Sequence, residues 1–148
     1  MTANQFLLAL PYPSDFTQGA RSAVTTCLRI QPSEKVTLIT DRVTQAIAAS
    51  LAAQLQALGC QWNAYILEDL SPRPLTDMPA PVLADMETSQ VSIFAVQVQQ
   101  NELHSRMQMT DVVNRRKMRH AHMVNITAEI MCHGITRSAT NPRHSRSP

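Results

Sequence analysis

Apolar residues return at helical spacing in two parts of the chain. In the clearer one they recur every three or four positions, at Val43, Ile47, Leu51, Leu55 and Leu58. Gly59 follows directly, and glycine favours the left-handed conformation in which many helices end, so a helix is predicted over 43–58. The second stripe predicts a helix over 16–28, capped by Ser14 or Asp15. Its apolar positions are Phe16, Ala20, Val24, Cys27 and Leu28.

Short runs rich in β-branched and apolar residues lie between and after these helices. The most hydrophobic is 91–96, as expected of a strand that is covered on both faces. Further strands are predicted over 36–40, 60–67 and 119–123, further helices over 82–88 and 105–118, and a last helical turn over 127–131. Because strands and helices alternate, we expect an α/β fold, with a mostly parallel sheet and helices on both faces.

The character of the sequence changes after Gly134. Residues 135–148 hold one Ile and one Ala among Thr, Arg, Ser, Asn, Pro and His, without periodicity. We therefore predict an α/β domain over 1–134 and a disordered basic tail over 135–148. The net charge of +2 comes from the tail, since residues 1–134 hold ten Lys and Arg against eleven Asp and Glu. A nucleic-acid-binding surface on the domain is not supported.

Apolar runs are too short for a bilayer span, which needs about 20 residues. The run 6–10 follows no Lys or Arg and precedes Pro11, so it is a poor secretion signal. The cysteines, Cys27, Cys60 and Cys132, lie far apart without a CxxC pair and are interpreted as buried thiols. We expect a cytoplasmic protein with no membrane or nucleic-acid partner.

Ligands of open α/β sheets bind beyond the carboxyl ends of the strands. A dinucleotide site there requires glycines, and all three glycines of the chain lie elsewhere. Asp41, after the first predicted strand, is interpreted as the N-cap of the next helix. Glu68 and Asp69 end the second strand. Paired carboxylates can do acid–base chemistry, but no nucleophile accompanies this pair, so a role facing the loop is preferred.

Four residues could be assembled into a metal site only if the fold brought them together. His120 and His122 would share one face of a strand, and Glu129 and His133 stand four residues apart on a predicted helix. Neither spacing matches a closed zinc motif. Packing or hydrogen bonding of the histidines is therefore preferred, and no catalytic residue and no metal ligand is assigned.

Two further groups of residues receive structural interpretations. A basic run at a predicted helix end is expected to be a solvated face; it consists of Arg115, Arg116, Lys117 and Arg119. Methionines are expected to fill the core, because aromatic residues make up only 4% of the chain. These methionines are Met107, Met109, Met118, Met123 and Met131.

Six ordered stretches over about residues 15–134 resemble the amino-terminal part of thermophilic metallo-aminopeptidases. They are 20–28 (ARSAVTTCL), 36–42 (VTLITDR), 67–75 (LEDLSPRPL), 92–97 (SIFAVQ), 119–123 (RHAHM) and 126–131 (ITAEIM). This family, the aminopeptidase T type, is often labelled leucyl aminopeptidase. The resemblance implies an α/β domain that helps to wall the active-site cavity of a broad-specificity exopeptidase and supports dimerisation.

In that family, two divalent metal ions activate a water that attacks the first peptide bond. Their Glu, His, Tyr and Asp ligands lie in the carboxy-terminal part, and no position of this chain matches them. The similarity ends at Gly134, where the composition also changes, so we expect a truncated or frameshifted gene. The resemblance thus implies a self-associating fragment that is inactive alone, binds no cofactor itself and meets peptide substrate only in the full-length context. The alternative is a stand-alone α/β module that binds a small ligand or has a regulatory role.

Overall fold

Strands and helices alternate along residues 1–124, the part of the chain that the computed structural model describes. The helices are α1 (Ala3–Ala9), α2 (Phe16–Arg21), α3 (Gln45–Leu58), α4 (Ala80–Met86) and α5 (Leu103–Arg116). The strands are β1 (Lys35–Thr40), β2 (Gln61–Ile66), β3 (Val91–Val96) and β4 (Arg119–Val124). A π-helical segment, Ser22–Cys27, extends α2, and a 3-10 turn, Leu67–Asp69, follows β2. The predicted tail, the predicted last helical turn and the residues Glu129, Met131, Cys132 and His133 lie outside the described residues.

Within residues 1–124, the strands form one sheet in the order β2–β1–β3–β4, and all neighbouring strands are parallel. Leu38 in the middle of β1 is paired with Ala64 of β2 and Ile93 of β3, and Ile93 is paired with Ala121 of β4. Every residue of β3 is buried, because this strand is central and both its faces are covered. The predicted α/β fold is confirmed.

Helices cover both faces of the sheet, because alternate strand side chains point to opposite sides. Leu38 belongs to a core that it shares with α1, α2 and α3, through Leu7 and Leu51 among others. Ile39, the next residue of β1, belongs to a second core that contains Met86 of α4 and Met109 of α5. Three layers result, and the loops that follow the parallel strands all lie at one edge of the sheet.

The predicted central helix, α3, begins two residues later than its apolar pattern indicates. Val43 lies outside the helix and is 70% exposed, so its assignment to the apolar stripe was wrong. The cause is local: Asp41 accepts a hydrogen bond from the Thr44 backbone N–H at 2.9 Å and holds the residues between them in a turn. The C-terminus is as predicted, because Gly59 has a φ of +85° and donates to the last helical carbonyls.

Helix α1 has no counterpart among the predicted elements. Its N-terminus is a capping box, in which Thr2 and Gln5 bond each other's backbone N–H. The Thr-x-x-Gln spacing is a sequence signal for this cap. Asn4 of α1 donates to the Trp62 carbonyl at 2.8 Å and accepts from the Ala64 N–H at 2.7 Å. Helix α1 thereby satisfies backbone groups of β2, which is an edge strand of the described sheet.

The helix predicted over 16–28 is present, but its second half is π-helical from Ser22 to Cys27. Asp15 occupies the N-cap position, although its side chain forms no capping hydrogen bond. Leu28 continues the segment by donating its N–H to the Ala23 carbonyl, five residues earlier. The wider turn changes which side chains face the sheet: Val24 is buried, whereas Cys27 is only half-buried.

A polar network attaches α4 to β1 and β2. The carboxylate of Asp85 accepts hydrogen bonds from Thr37 Oγ1 at 2.6 Å and Asn63 Nδ2 at 2.9 Å. It also pairs with Lys35 Nζ at 2.9 Å, and Ser89 Oγ lies 2.8 Å from Thr37 Oγ1. Because hydrogen bonds are directional whereas aliphatic contacts are not, this network fixes where α4 lies on the sheet.

The sulfur-containing residues follow the predictions only in part. Cys60 is buried, as predicted, and burial raises the pKa of its thiol. Met109, Met118 and Met123 are in the core, but Met107 is exposed, because it lies on the outer face of α5. No helix in the described part of the chain is long and apolar enough to cross a membrane.

Replacing Leu51 with Ala should lower the free energy of unfolding by about 2–5 kcal/mol, because the side chain is fully buried between α3 and the sheet. Urea denaturation monitored by circular dichroism measures this change. The matched control is Val43→Ala, which should change stability by less than about 0.5 kcal/mol. Equal effects of the two substitutions would contradict the described boundary of α3.

Candidate functional site

The order of the strands creates a switch point at the carboxyl edge of the sheet. From β1 the chain moves outward to β2 and then crosses back to β3 on the other side of β1. The loops that follow β1 and β3 therefore leave in opposite directions, and the crevice between them is where ligands of such sheets bind. It lies beyond Thr40 and Val96, next to Asp41 and Gln97.

Arg73 fills this crevice. Its Nε and Nη2 donate to the two carboxylate oxygens of Glu102, at 2.6 and 2.9 Å. Its Nη1 donates to Asp41 at 3.2 Å and Glu68 at 2.9 Å, and Nη2 also donates to the Gln97 carbonyl at 3.1 Å. The guanidinium has five N–H donors, and each of the five contacts can use one of them. We call these residues, Asp41, Glu68, Arg73 and Glu102, the Arg73 cluster.

The carboxylates of the Arg73 cluster bind backbone groups of the surrounding loops. Asp41 accepts from the Gln97 N–H at 2.8 Å, and Glu102 accepts from the Leu75 N–H at 2.7 Å. Glu68 accepts from the Arg42 N–H at 3.0 Å. The cluster therefore joins the segments that follow β1, β2 and β3 into one hydrogen-bonded unit.

Most of this cluster is shielded from water. The side chains of Arg73, Asp41 and Glu102 are 6%, 0% and 5% exposed, whereas Glu68 is 29% exposed. Burial alone would raise the pKa of Glu102, but hydrogen bonds from Arg73 and the Leu75 N–H outweigh it and hold that pKa below its usual range. Burial alone would lower the pKa of Arg73, but its hydrogen bonds to Glu102 and Asp41 outweigh this effect and raise the pKa, so the guanidinium stays charged.

Two interpretations of the strand ends need correction. Asp41 is not the N-cap of α3; Thr44 occupies that position, and Asp41 is a buried partner of Arg73. Glu68 does not merely face the loop but belongs to the Arg73 cluster, while Asp69 remains at the surface and pairs with Arg42 at 2.5 Å. Glu68 and Asp69 are adjacent in the sequence, but because they lie in a 3-10 turn their side chains point in different directions and bind different partners.

Sequence reasoning missed Arg73, Gln97 and Glu102. Arg73 lies between Pro72 and Pro74 in a connection without periodicity, and Glu102 precedes α5 by one residue. An Arg among prolines carries no local signal of burial. Its carboxylate partners are 5, 29 and 32 residues away in the sequence, so only the folded chain brings the cluster together.

His120 and His122 share the face of β4 that is turned toward the second core. His120 Nδ1 lies 2.5 Å from Ser92 Oγ, and the ring of His122 is 5.4 Å from that of Phe94 and 5.7 Å from that of His120. For His120 and His122, the prediction that the histidines pack or hydrogen-bond is confirmed. Burial lowers the pKa of His120 to about 3, and it also lowers the pKa of His122, so both rings are neutral at pH 7.

The described residues do not bring a metal site together around these histidines. Within residues 1–124, no three His, Cys, Asp or Glu side chains are arranged to hold a metal ion. The second predicted pair, Glu129 and His133, lies outside that range. His120 and His122 are thus two adjacent neutral imidazoles on one strand face.

The basic run is only partly a solvated face. Arg115 pairs with Glu87 at the surface, as expected, but Arg116 donates to the Met86 and Ser89 carbonyls behind α4. Arg119 donates to the Leu28 carbonyl at 2.8 Å and pairs with Glu34. Arg116 and Arg119 thus connect helix ends and loops at the amino edge of the sheet by hydrogen bonds and an ion pair. The charge pattern of the sequence alone did not indicate these contacts.

Replacing Arg73 with Ala should cost about 3–5 kcal/mol of unfolding free energy, because Asp41 and Glu102 would stay buried without a cation. Chemical denaturation gives the value. Arg115→Ala is the matched control, since it removes an arginine that pairs only at the surface, and it should leave the denaturation midpoint nearly unchanged. A wild-type midpoint in the Arg73 variant would contradict a buried cluster.

Acidification should destabilise the fold through His120. Its pKa is about 3 in the folded chain and about 6.5 when unfolded, so the stability it contributes is complete above pH 6.5 and is lost as the pH falls toward 3. Between pH 7 and pH 5 the loss should be about 2 kcal/mol, at 1.4 kcal/mol for each pH unit below 6.5. Urea unfolding at both pH values measures it.

The variant His120→Gln should reduce this pH dependence, because glutamine does not titrate. His104→Gln is the control, since His104 is 68% exposed and should leave the dependence unchanged. The same loss between pH 7 and pH 5 in wild type and His120→Gln would show that His120 is not held neutral by the fold.

No model of a known protein family matches the chain, and no curated protein matches it. The resemblance to metallo-aminopeptidases therefore depends on the six stretches quoted above. The α/β fold, by contrast, follows from the sheet itself.

Proposed function

We propose that the chain is the non-catalytic amino-terminal domain of a metal-dependent aminopeptidase of the aminopeptidase T type. In that role it walls the active-site cavity and supports dimerisation, while the remainder of such a protein removes amino-terminal residues from peptides. Two features support the proposal: the ordered stretches that resemble the family, and an α/β fold of the kind that the resemblance implies.

The Arg73 cluster is the observation that carries a supporting rather than a catalytic role. A small ligand at the switch point would have to displace a guanidinium that already donates to Asp41, Glu68, Glu102 and the Gln97 carbonyl. The cluster offers no nucleophile, and its buried carboxylates are already bonded to Arg73 and to backbone N–H groups. The hydrogen bonds of the Arg73 cluster hold the surrounding loops in fixed positions. The wall of a neighbouring active site requires such fixed loops.

The same observation weighs against the alternative, a stand-alone module with a small ligand at the strand ends. That alternative requires an open crevice at the switch point, and Arg73 occupies it. We therefore prefer the aminopeptidase domain, together with the cytoplasmic location and the self-association that belong to it. The two divalent metal ions would be bound by the carboxy-terminal part of such an enzyme, since no residue of this chain matches their ligands.

The purified chain should not hydrolyse chromogenic aminoacyl substrates, even with added cobalt, zinc or magnesium, because it contributes no two-metal ligand set. A chimera should do so: residues 1–134 joined to the carboxy-terminal part of an aminopeptidase T-type enzyme should show metal-dependent hydrolysis that a chelator abolishes. Spectrophotometric assays measure both.

The same carboxy-terminal part joined to an unrelated α/β domain is the control for the chimera, and it should be inactive. The proposal would be wrong if the chain alone turned over substrate in a metal-dependent way. It would also be wrong if the chimera folded as a dimer and bound its metals but remained as inactive as the control.

A further inference from the structure

An exposed ion pair lies on the part of the carboxyl edge that follows β1 and β2. Arg42, in the loop after β1, donates to Asp69, in the 3-10 turn after β2, at 2.5 Å. The backbone N–H of Arg42 also donates to Glu68 at 3.0 Å, so the two loops touch. The side chains of Arg42 and Asp69 are 46% and 50% exposed. Exposed pairs of this kind contribute little to the stability of a single chain, and their charges remain accessible to a partner.

Apolar residues flank this pair on both sides. Val43 follows Arg42 in the sequence and is 70% exposed, and Leu70 follows Asp69 and is 39% exposed. Phe6 of α1 lies under the guanidinium of Arg42, with 5.3 Å between Cζ and the ring centroid. Single exposed apolar residues are ordinary, but an arginine and an aromatic ring beside apolar residues are typical of interfaces. We call Phe6, Arg42, Val43, Asp69 and Leu70 the edge patch.

The loops that carry the edge patch are held in fixed positions. Asp41 accepts hydrogen bonds from the backbone N–H and the hydroxyl of Thr44, which fixes the turn that contains Val43. On the other loop, the Leu70 N–H donates to the Leu67 carbonyl at 3.0 Å. A surface that is ordered before it binds loses little conformational entropy on association. The edge patch is therefore preorganised for a partner.

The edge patch is complementary to a second copy of itself. A two-fold interface brings the same surface of two chains together, so each charge needs its opposite within that surface. Arg42 and Asp69 supply both signs side by side. The bonds of Arg42 to Gln45 and Asp69 use two of the five N–H donors of a guanidinium and one oxygen of the carboxylate. A partner with one sign of charge would match only half of the patch.

We propose that the edge patch is a two-fold contact between two copies of this chain. Arg42 of each copy pairs with Asp69 of the other, and Val43 and Leu70 of both copies pack around these pairs. Because the apolar residues exclude water, the attraction between the charges is stronger than in a single chain. This contact locates the self-association that belongs to the proposed function, and it rests on that part of the proposal.

Sedimentation velocity of the purified full chain over a range of concentrations tests the contact, and the wild type should show a monomer–dimer equilibrium. Arg42→Glu alone and Asp69→Arg alone should stay monomeric where the wild type dimerises, because each variant places like charges opposite each other across the two-fold axis. An equimolar mixture of the two variants should dimerise again, since every pair between the two different chains then has opposite charges.

The mixture separates a contact between chains from a structural role of the pair within one chain. In each variant the internal pair between positions 42 and 69 stays broken, so recovery can come only from pairing between chains. Three results would overturn the proposal: a wild type that is monomeric throughout, single variants that dimerise like the wild type, or a mixture that stays monomeric while the wild type dimerises.

Val43→Glu is a second test, which leaves the ion pair intact. It should raise the dimer Kd by about tenfold or more, because a carboxylate would be buried against the other copy. Met107→Glu is the matched control, since Met107 is 59% exposed on α5 outside the edge patch, and it should leave the Kd unchanged. A wild-type Kd in Val43→Glu would contradict the contact. The chimera assay tests the aminopeptidase assignment separately, so either proposal can fail without the other.

Discussion

The carboxyl edge of the sheet depends on one buried guanidinium. In a parallel sheet all loops that follow the strands meet at the same edge, and their polar backbone groups need partners there. Arg73 collects three carboxylates, and those carboxylates bind the N–H groups of Arg42, Leu75 and Gln97. The charge on Arg73 is what allows Asp41 and Glu102 to be buried, so the geometry of the loops rests on this residue.

Polar contacts elsewhere give the layers their fixed arrangement. Aliphatic side chains fill both cores, but such contacts tolerate sliding, whereas hydrogen bonds do not. Hydrogen bonds of Asp85 fix the position of α4 on β1 and β2, and hydrogen bonds of Asn4 fix α1 against the backbone of β2. The two cores thus supply the driving force for folding, and a few buried polar residues decide how the helices are placed on the sheet.

The buried polar groups of the domain differ in how far their bonding is complete. All five N–H donors of Arg73 have acceptors, so the Arg73 cluster holds the surrounding loops together. This role agrees with the proposal that the domain is not itself catalytic. By contrast, Arg106 Nε and His120 Nε2 are buried and have no hydrogen-bond partner among residues 1–124.

The sequence by itself determined the elements whose signals are local. The stripe ending at Gly59 predicted α3, and the apolar run 91–96 predicted the central strand, because periodicity and glycine conformation act within a few residues. The capping box of Thr2 and Gln5 was available as a signal for α1 and was missed.

Only the tertiary structure decided which polar residues meet. Asp41, Glu68, Arg73 and Glu102 lie on different loops, and the strand order brings them to one crevice. Likewise, Arg116 donates to the Met86 and Ser89 carbonyls, which lie 30 and 27 residues away in the sequence. Burial and pairing of charges are properties of the folded chain, because water satisfies each of these groups until the sheet and its loops exclude it.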